Sequence, residues 1–245
     1  MIRNRVGCVL TAVVCVLAGG CDKQDVTGPG DETCRIYATQ FTRQITRPGF
    51  MTPREVSTCR YDAGSSTLTC EGPLTMFAGC TGRLTTRAAY RSTADFVSEA
   101  STAGRTLQVR DIETFVADCA QSGTVTVDFS YDAQGRLTGR AATIPGLSLG
   151  ATYNAWDGSG RPTRGTITAE GAAPCPMSTV SIAYNDGART METTVTCASQ
   201  STSSVERLTY DANGNTTALQ HTGSGREDSV ENRTIDRTDR VCTAR

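Results

Sequence analysis

Histidine, tryptophan and lysine are nearly missing from this chain of 245 residues, which contains one of each. A single histidine removes most histidine-based metal sites and leaves little material for histidine acid–base catalysis. Arginine supplies the other 23 of the 24 basic residues, and 25 acidic residues balance them. The net charge of −1 lacks the basic excess that is typical of nucleic-acid-binding proteins, so we expect no nucleic-acid partner.

Large side chains are scarce as well. Aromatic residues make up 6% of the chain, whereas threonine alone occurs 39 times. Threonine is enriched in β-strands because its branched side chain packs well on a pleated surface. The composition therefore favours a β-rich fold over a helical bundle.

Long apolar runs are absent beyond the first twenty residues. The run Val6–Leu17 follows Arg3 and Arg5 and leads through small residues to Cys21. About a dozen apolar residues are too few for a membrane-spanning helix, which needs ~20, and this order of segments is typical of an export signal.

The residues Ala18-Gly19-Gly20-Cys21 resemble the end of a bacterial lipoprotein signal, although Ala18 stands where leucine is usual and Gly19 where alanine or serine is usual. The resemblance implies cleavage before Cys21 and a lipid on its thiol, which would anchor the protein to a membrane without a spanning helix. It places the protein in the bacterial cell envelope, on the periplasmic side or the cell surface. An ordinary signal peptide cleaved after Gly20 is the alternative.

We accordingly divide the chain into three parts. Residues 1–20 are the predicted signal peptide, and residues 21–33 are the lipidated cysteine with a polar, flexible tether. Residues 34–245 form the predicted β-repeat domain, with a less regular half at 34–120 and regular hairpin repeats at 121–245.

Eight cysteines remain in the predicted domain, and an oxidising compartment favours disulfides between them. Zinc is disfavoured because there is no C-x-x-C pair and the spacings are long and irregular. We predict four disulfides, with Cys175–Cys197 across one hairpin as the first candidate pair and Cys59–Cys70 as the second. The eight cysteines are Cys34, Cys59, Cys70, Cys80, Cys119, Cys175, Cys197 and Cys242.

A local pattern recurs in the second half of the chain: an alternating run, an aromatic residue, Asp or Asn, a short turn with Gly, then Arg and another alternating run. Alternation predicts strands, and Asp with Gly predicts the turn that joins them. The key positions Tyr131, Trp156, Tyr184, Tyr210 and Ile235 are 25, 28, 26 and 25 residues apart, which indicates a repeat. The predicted turn residues are Tyr131, Asp132, Gly135 and Arg136; Trp156, Asp157, Gly160 and Arg161; Tyr184 and Asn185; and Tyr210, Asp211 and Gly214.

The segment YDAQGRL at Tyr131–Leu137 resembles the YD repeats of the RHS family, and WDGSGR and YDANGN match in part. The resemblance implies a twisted β-hairpin architecture and marks no catalytic site. The alternative is a set of independent hairpins that share only turn chemistry.

Together these features predict an all-β, disulfide-stabilised antiparallel meander of hairpins that curls into a barrel, a sandwich or a curved sheet. Upstream, Tyr61 lies in a further hairpin. The segments 94–100 and 111–119 fit both strand and helix periods, and we assign them to strands.

Residues that could carry chemistry are few, and we predict no metal, no cofactor and no enzymatic activity. Gly146–Gly150 matches the G-x-S-x-G nucleophile elbow around Ser148, but a strand-and-turn pattern follows it where a helix is needed. Asp211-Ala-Asn213-Gly-Asn215 begins like a calcium loop and lacks the later ligands. We expect Trp156 to pack at a hairpin end, His221 to lie on the surface and Glu231 to belong to a solvated stretch.

The leading functional hypothesis is therefore a non-enzymatic, membrane-anchored envelope lipoprotein with a structural or surface-recognition role, whose partner is an envelope protein or a glycan. The alternative is a ligand carrier or glycan-binding module that uses the concave face of the sheet. A serine hydrolase at Ser148 is a remote third hypothesis.

Overall fold

The computed structural model describes residues 32–77, 80–99, 106–118, 122–171, 175–223 and 228–244. The predicted signal, Cys21 and nearly all of the predicted tether lie outside these residues. Within the described residues, fifteen strands and one helix follow one another. The strands are β1 (Glu32–Arg47), β2 (Phe50–Met51), β3 (Glu55–Asp62), β4 (Thr67–Phe77), β5 (Cys80–Tyr90), β6 (Gln108–Ala117), β7 (Gly123–Tyr131), β8 (Leu137–Ile144), β9 (Leu147–Trp156), β10 (Pro162–Gly171), β11 (Met177–Asn185), β12 (Thr190–Cys197), β13 (Thr202–Tyr210), β14 (Thr216–Gly223) and β15 (Ser229–Ala244), and the helix α1 is Thr93–Glu99.

The strands form one antiparallel meander that closes on itself. Each strand from β3 onward pairs with its neighbours in chain order, and β15 pairs with β1 along nearly its whole length, from Glu32 opposite Ala244 to Thr46 opposite Val230. The short β2 pairs with β1 outside the ring. The result is a barrel of fourteen strands, as one of the three predicted architectures requires.

Three disulfides join described residues. Cys59 and Cys70 lie opposite each other on β3 and β4, and Cys34 and Cys242 lie opposite each other on β1 and β15. Cys175 is bonded to Cys197 at the base of the β11–β12 hairpin. The two predicted pairs are therefore confirmed, and the sequence contained no sign of the third.

Two of the eight predicted disulfide cysteines remain, Cys80 and Cys119. Cys80 is disulfide-bonded and buried at the start of β5. Cys119 lies outside the described residues.

The hairpin turns that follow Tyr61, Tyr131, Trp156, Tyr184 and Tyr210 lie at one end of the barrel, because every second connection of a meander returns to the same edge. We call this the turn end. It also carries the start of β1, the end of β15 and α1, whereas short connections such as Pro145–Gly146 lie at the opposite end.

Two sequence predictions are wrong here. The segment 94–100 is not a strand: α1 covers most of it, with Phe96 and Val97 buried. The last predicted hairpin, around Ile235, lies within the single strand β15, because no glycine follows Asp236 to supply the turn. The segment 111–117 is a strand as predicted.

The barrel interior has two unlike halves. From β7 to β14 its buried side chains are mostly apolar, with Val125, Leu149 and Val180 in one cluster and Met191, Leu208 and Leu219 in another, although Arg140, Glu206 and His221 are buried there as well. From β15 through β1 to β6, many inward positions hold charged residues. Among the described residues, no helix is long and apolar enough to span a membrane.

Candidate functional site

The predicted turn residues form one repeated five-residue geometry. In the first copy, the Asp132 carboxylate accepts hydrogen bonds from the backbone N–H groups of Gln134 at 3.0 Å and Arg136 at 2.8 Å. Gly135 adopts a φ of 70°, in the left-handed region that glycine tolerates best. The aspartate therefore holds the turn by accepting bonds that would otherwise be unsatisfied.

The turns at Asp157 and Asp211 repeat this arrangement. Their carboxylates accept backbone N–H bonds from the second and fourth residues that follow, at 2.8–2.9 Å. Gly160 and Gly214 adopt φ values of 76° and 79°. In the calcium-like sequence at Asp211 the carboxylate is thus used by the hairpin turn.

The arginine after each turn glycine joins its hairpin to the next. Arg136 Nε donates to Asp132 at 2.7 Å, and the guanidinium lies 4.4 Å from the ring centroid of Trp156. The indole Nε1 of Trp156 donates in turn to the carbonyl of Leu137 at 2.9 Å. Trp156 is half-buried and packs at a hairpin end, as the sequence predicted.

Arg161 repeats the same contacts one hairpin later. Its guanidinium binds Asp157 at 2.6 Å and Asp186 at 2.6 Å, and it lies 4.2 Å from the ring centroid of Tyr184. The Tyr184 hydroxyl donates to the carbonyl of Pro162 at 3.1 Å. In both hairpins, therefore, the arginine after the turn packs on the aromatic residue of the next hairpin.

The series continues to both sides of these hairpins. The Tyr131 hydroxyl donates to the carbonyl of Gln108 on β6. Asn215 takes the place of the arginine in the last copy, where it donates to Asp211 and accepts from the backbone N–H of Ala38 on β1. The repeat residues thus form a belt around the barrel wall, and their polar groups are used within it.

One copy departs from the pattern, as its shifted glycine suggested. Asn185 Oδ1 accepts from the backbone N–H of Ala188 at 2.9 Å. The positive φ of 53° falls on Arg189 and not on Gly187.

The other chemical motifs are held apart. Ser148 lies on β9 with its side chain facing outward, opposite Thr143 and Glu170 on the neighbouring strands. His221 is buried on β14, inside the barrel, so the prediction that it lies on the surface is wrong. The wall of the barrel separates these two side chains, and no helix follows Ser148 as the nucleophile elbow requires.

Helix α1 closes the turn end of the barrel. Phe96 is fully buried, stacks on Tyr61 at 3.9 Å between ring centroids and meets Tyr37 and Tyr90 edge to face. Arg35 covers the remaining face at 4.3 Å. An aromatic cluster of this kind buries a large apolar area and excludes water from that end.

Glu99, the last residue of α1, is buried with every oxygen in use. It accepts from Arg35 at 3.0 Å and from the Tyr90 hydroxyl at 2.6 Å. The hydroxyl of Thr106 and the backbone N–H of Leu107 both donate to it at 3.1 Å. These four bonds compensate the cost of burying its charge.

A cavity of about 370 Å³ lies inside the barrel below α1, between β15, β1 and β3 to β6. Its wall is buried near the helix, at Arg35, Tyr90 and Gln108. Toward the opposite end the lining residues Arg47 and Phe115 are only half-buried. The cavity is therefore closed at the turn end and accessible from the other.

Two ion pairs lie in the cavity wall. Arg43 Nε donates to Glu55 at 3.0 Å, and the same guanidinium donates to the carbonyl of Pro73. Arg233 Nε donates to Glu231 at 2.5 Å. Burial opposes the ionisation of Glu231, but Arg233 and Arg43 hold its pKa below the ordinary value.

Strand β6 forms a different wall, in which Asp111 and Glu113 form no direct ion pair with a described residue, although Arg43 and Arg233 act on Glu113 through their charge. Gln108, Asp111 and Glu113 occupy successive inward positions and line the cavity. Burial raises the pKa of Asp111 well above its ordinary value, and the charge of Glu113 adds to that rise. Burial likewise raises the pKa of Glu113 to about 7, against the opposing effect of Arg43.

Sequence reasoning did not find this wall, because its hydrophobic pattern is inverted. On β6 the apolar residues Ile112 and Val116 alternate with Asp111 and Glu113, and alternation would assign the apolar face to the interior. In the structure Val116 is 59% exposed, while Asp111 is 2% exposed. Glu231, expected in a solvated stretch, also faces inward.

Metal-binding geometry is limited. In the described part of the chain, the one cluster of three His, Cys, Asp or Glu groups consists of Glu32, Cys34 and Cys242. The two sulfur atoms are bonded to each other as a disulfide, so they are not available as thiolate ligands.

Comparison with known proteins assigns no family. The chain matches no protein-family model, no curated protein and no solved structure.

Proposed function

We propose that this protein is an exported, lipid-anchored envelope protein that binds a small ligand inside its barrel, with no chemical transformation of that ligand. The single observation that carries the proposal is the interior cavity of about 370 Å³, closed at one end by α1. Ligand pockets in proteins commonly have volumes of about 300–1,000 Å³ and combine apolar walls with a few polar groups.

The contacts of the belt favour ligand binding inside over recognition by the turns. Arg161 is buried and engaged by two carboxylates and an aromatic ring. Trp156 is stacked under Arg136 and donates to a backbone carbonyl. Groups used in this way stabilise the wall and offer little to an external glycan or protein.

The position of the chain start supports an orientation on the membrane. Strand β1 begins at Glu32, at the turn end, and ten residues separate Glu32 from Cys21. Ten residues reach at most ~35 Å when extended. A lipid on Cys21 would thus be joined to the barrel at its turn end, and in the proposed orientation the cavity opens toward the aqueous compartment.

Labelling and fractionation test the anchor. In a bacterial host fed an alkyne-bearing fatty acid, we expect the full chain to be labelled and to sediment with membranes. The Cys21→Ser variant should lose the label and appear in the soluble fraction. Label that persists in Cys21→Ser, or membrane-free wild-type protein, would contradict the anchor.

Native mass spectrometry tests ligand binding. We expect the full chain carrying Cys21→Ser, secreted through an oxidising compartment, to retain a non-covalent small molecule or to take one up from an extract of the host. A bare chain under both conditions would sink the binding proposal. The same spectrum reports the number of disulfides, because each disulfide lowers the mass of the reduced chain by two hydrogen atoms.

A further inference from the structure

The inner wall of β6 carries two buried acceptor atoms that lack hydrogen-bond partners within the described part of the chain. Gln108 Oε1 and Asp111 Oδ2 are buried and have no hydrogen-bond partner among the described residues. Gln108 is 6% exposed and Asp111 is 2% exposed, and both line the cavity. A buried acceptor without a partner is destabilising, so a ligand that supplies a donor to these atoms removes that cost.

The nearby cations do not supply the missing donors. Arg35 is bound to Glu99 and to the carbonyl of Phe96, at 3.0 and 2.9 Å. Arg43 is bound to Glu55 at 3.0 Å, and its pair lies on the opposite side of the cavity. Arg43 and Arg233 act on Glu113 through their charge, but no described cation donates a hydrogen bond to Gln108 Oε1 or Asp111 Oδ2.

The neighbours of these acceptors are small or apolar. Asp111 lies opposite Ala88 on β5 and Val127 on β7. Glu113 lies opposite Thr86 and Val125 on the same strands. A ligand at this wall thus meets negative or acceptor groups at one point and hydrocarbon around them.

The spread of the acceptors favours an organic cation over a metal ion. Apart from Glu32 and the Cys34–Cys242 pair, no three metal-ligand side chains of the described residues bring their ligand atoms within 4.8 Å of one another. A divalent cation needs several oxygen ligands at about 2–2.6 Å. An ammonium group needs fewer partners, because it donates three hydrogen bonds to separate acceptors.

We propose that the cavity binds a small organic amine, whose ammonium group is held by Gln108, Asp111 and Glu113 and whose apolar part contacts the hydrocarbon of β5 and β7. This inference rests on the proposed ligand-binding function and adds the chemical class of the ligand. Because Gln108 and Asp111 are deeply buried, the ammonium group should lie toward α1 and the apolar part toward the accessible end of the cavity.

Three matched probes test the ligand class: benzylamine, benzyl alcohol and benzoate, which share a ring and differ in the polar group. By isothermal titration calorimetry on the full chain with Cys21→Ser at neutral pH, we expect benzylammonium to bind at least about tenfold more tightly than either analogue. If benzylammonium binds no more tightly than benzyl alcohol or benzoate, the proposal that the ligand is an amine is overturned. Binding of the alcohol or of benzoate would still support the ligand-binding function. No binding of any probe, together with a bare chain in the native spectrum, would overturn both.

Two isosteric variants test the site. Asp111→Asn and Glu113→Gln should each weaken benzylammonium binding by about tenfold and leave benzyl alcohol binding unchanged. Asp128→Asn removes an acid from the outer face of the neighbouring strand, where Asp128 pairs with Arg110, and should have no effect. Unchanged benzylammonium affinity in both cavity variants, with melting curves that confirm folding, would overturn the site. Calcium binding that Asp111→Asn abolishes would replace the amine with a metal ion.

Discussion

At the residue scale, a single arginine can connect three parts of the barrel wall. The Arg161 side chain is 8% exposed and binds the carboxylates of Asp157 and Asp186 while it covers the ring of Tyr184. Removing one partner of a buried pair leaves an uncompensated charge, whereas an exposed pair contributes little. The belt should therefore be sensitive at Arg161 and tolerant at surface arginines.

We expect Arg161→Gln to lower the free energy of unfolding by about 2 kcal/mol in urea titrations. Arg207 provides the matched control, because it pairs with Glu192 on the outer face and its side chain is 54% exposed. Arg207→Gln should change stability by less than about 0.5 kcal/mol. Equal losses of unfolding free energy in the two variants would show that the contacts of the belt do not stabilise the barrel wall.

The carboxyl group of Glu113 makes stability depend on pH. Its pKa rises from 4.5 to about 7 in the folded protein because of burial. Between these values the folded state holds a proton that the unfolded state has lost, so the free energy of unfolding falls as the pH rises through this window. The charged groups that face Glu113 are Asp111 on its own strand, Arg43 on β1, and Glu231 and Arg233 on β15.

We expect Glu113→Gln to remove about 3 kcal/mol of this decline between pH 4.5 and about 7. Chemical denaturation at a series of pH values measures it. Asp111 contributes a decline of the same sign, so the variant should flatten the profile only in part. A slope in Glu113→Gln that equals the wild-type slope would contradict the assignment.

At the element scale, the three regular hairpin turns, at Asp132, Asp157 and Asp211, each depend on one glycine with positive φ and not on every glycine they contain. In the Asp157 turn, Gly160 adopts a φ of 76°, while Gly158 has no neighbouring atom within 4 Å of an added Cβ and no positive φ. Left-handed backbone costs an L-residue about 1–2 kcal/mol. Two glycines that lie two residues apart in one loop thus provide a paired test.

We expect Gly160→Ala to destabilise the protein by about 1–2 kcal/mol and Gly158→Ala to be neutral within about 0.5 kcal/mol. Thermal unfolding of the two variants side by side measures the difference. If both variants melt together with the wild type, positive φ is not what selects glycine at position 160.

At the scale of the whole molecule, the barrel exists because its last strand returns to its first. Strands β1 and β15 have no connecting turn, and their pairing is set by fourteen opposed positions and the Cys34–Cys242 bridge. This disulfide joins residues that are 208 positions apart, whereas Cys59 and Cys70 are 11 apart. A crosslink that closes a longer loop removes more entropy from the unfolded chain.

We expect Cys34→Ser with Cys242→Ser to lower the free energy of unfolding by about 5 kcal/mol, and Cys59→Ser with Cys70→Ser by about 3 kcal/mol. Guanidinium unfolding of the two double variants compares them, with mass spectrometry to verify that the other bridges remain. A smaller loss of unfolding free energy in the Cys34/Cys242 variant than in the Cys59/Cys70 variant would contradict this account of barrel closure.

The sequence by itself determined the local structure. Alternation with Asp and Gly at the turns predicted the hairpins at Tyr131, Trp156, Tyr184 and Tyr210, because these signals act between residues a few positions apart. The same local logic predicted the Cys59–Cys70 and Cys175–Cys197 pairs, each across one hairpin. It failed at Ile235, where a degraded copy of the repeat lacks the glycine and continues as a strand.

The tertiary structure decided what no local pattern contains. The sequence left a barrel, a sandwich and a curved sheet as alternatives, and the pairing of β1 with β15 decided for the barrel. The same pairing brought together Cys34 and Cys242, which are 208 positions apart. Closure also reversed the expected faces of β6, since a cavity can hold Asp111 and Glu113 inside while Ile112 and Val116 face outward. The hairpins are predictable because their contacts are short in sequence, and the candidate site is not, because its walls meet only after the sheet closes.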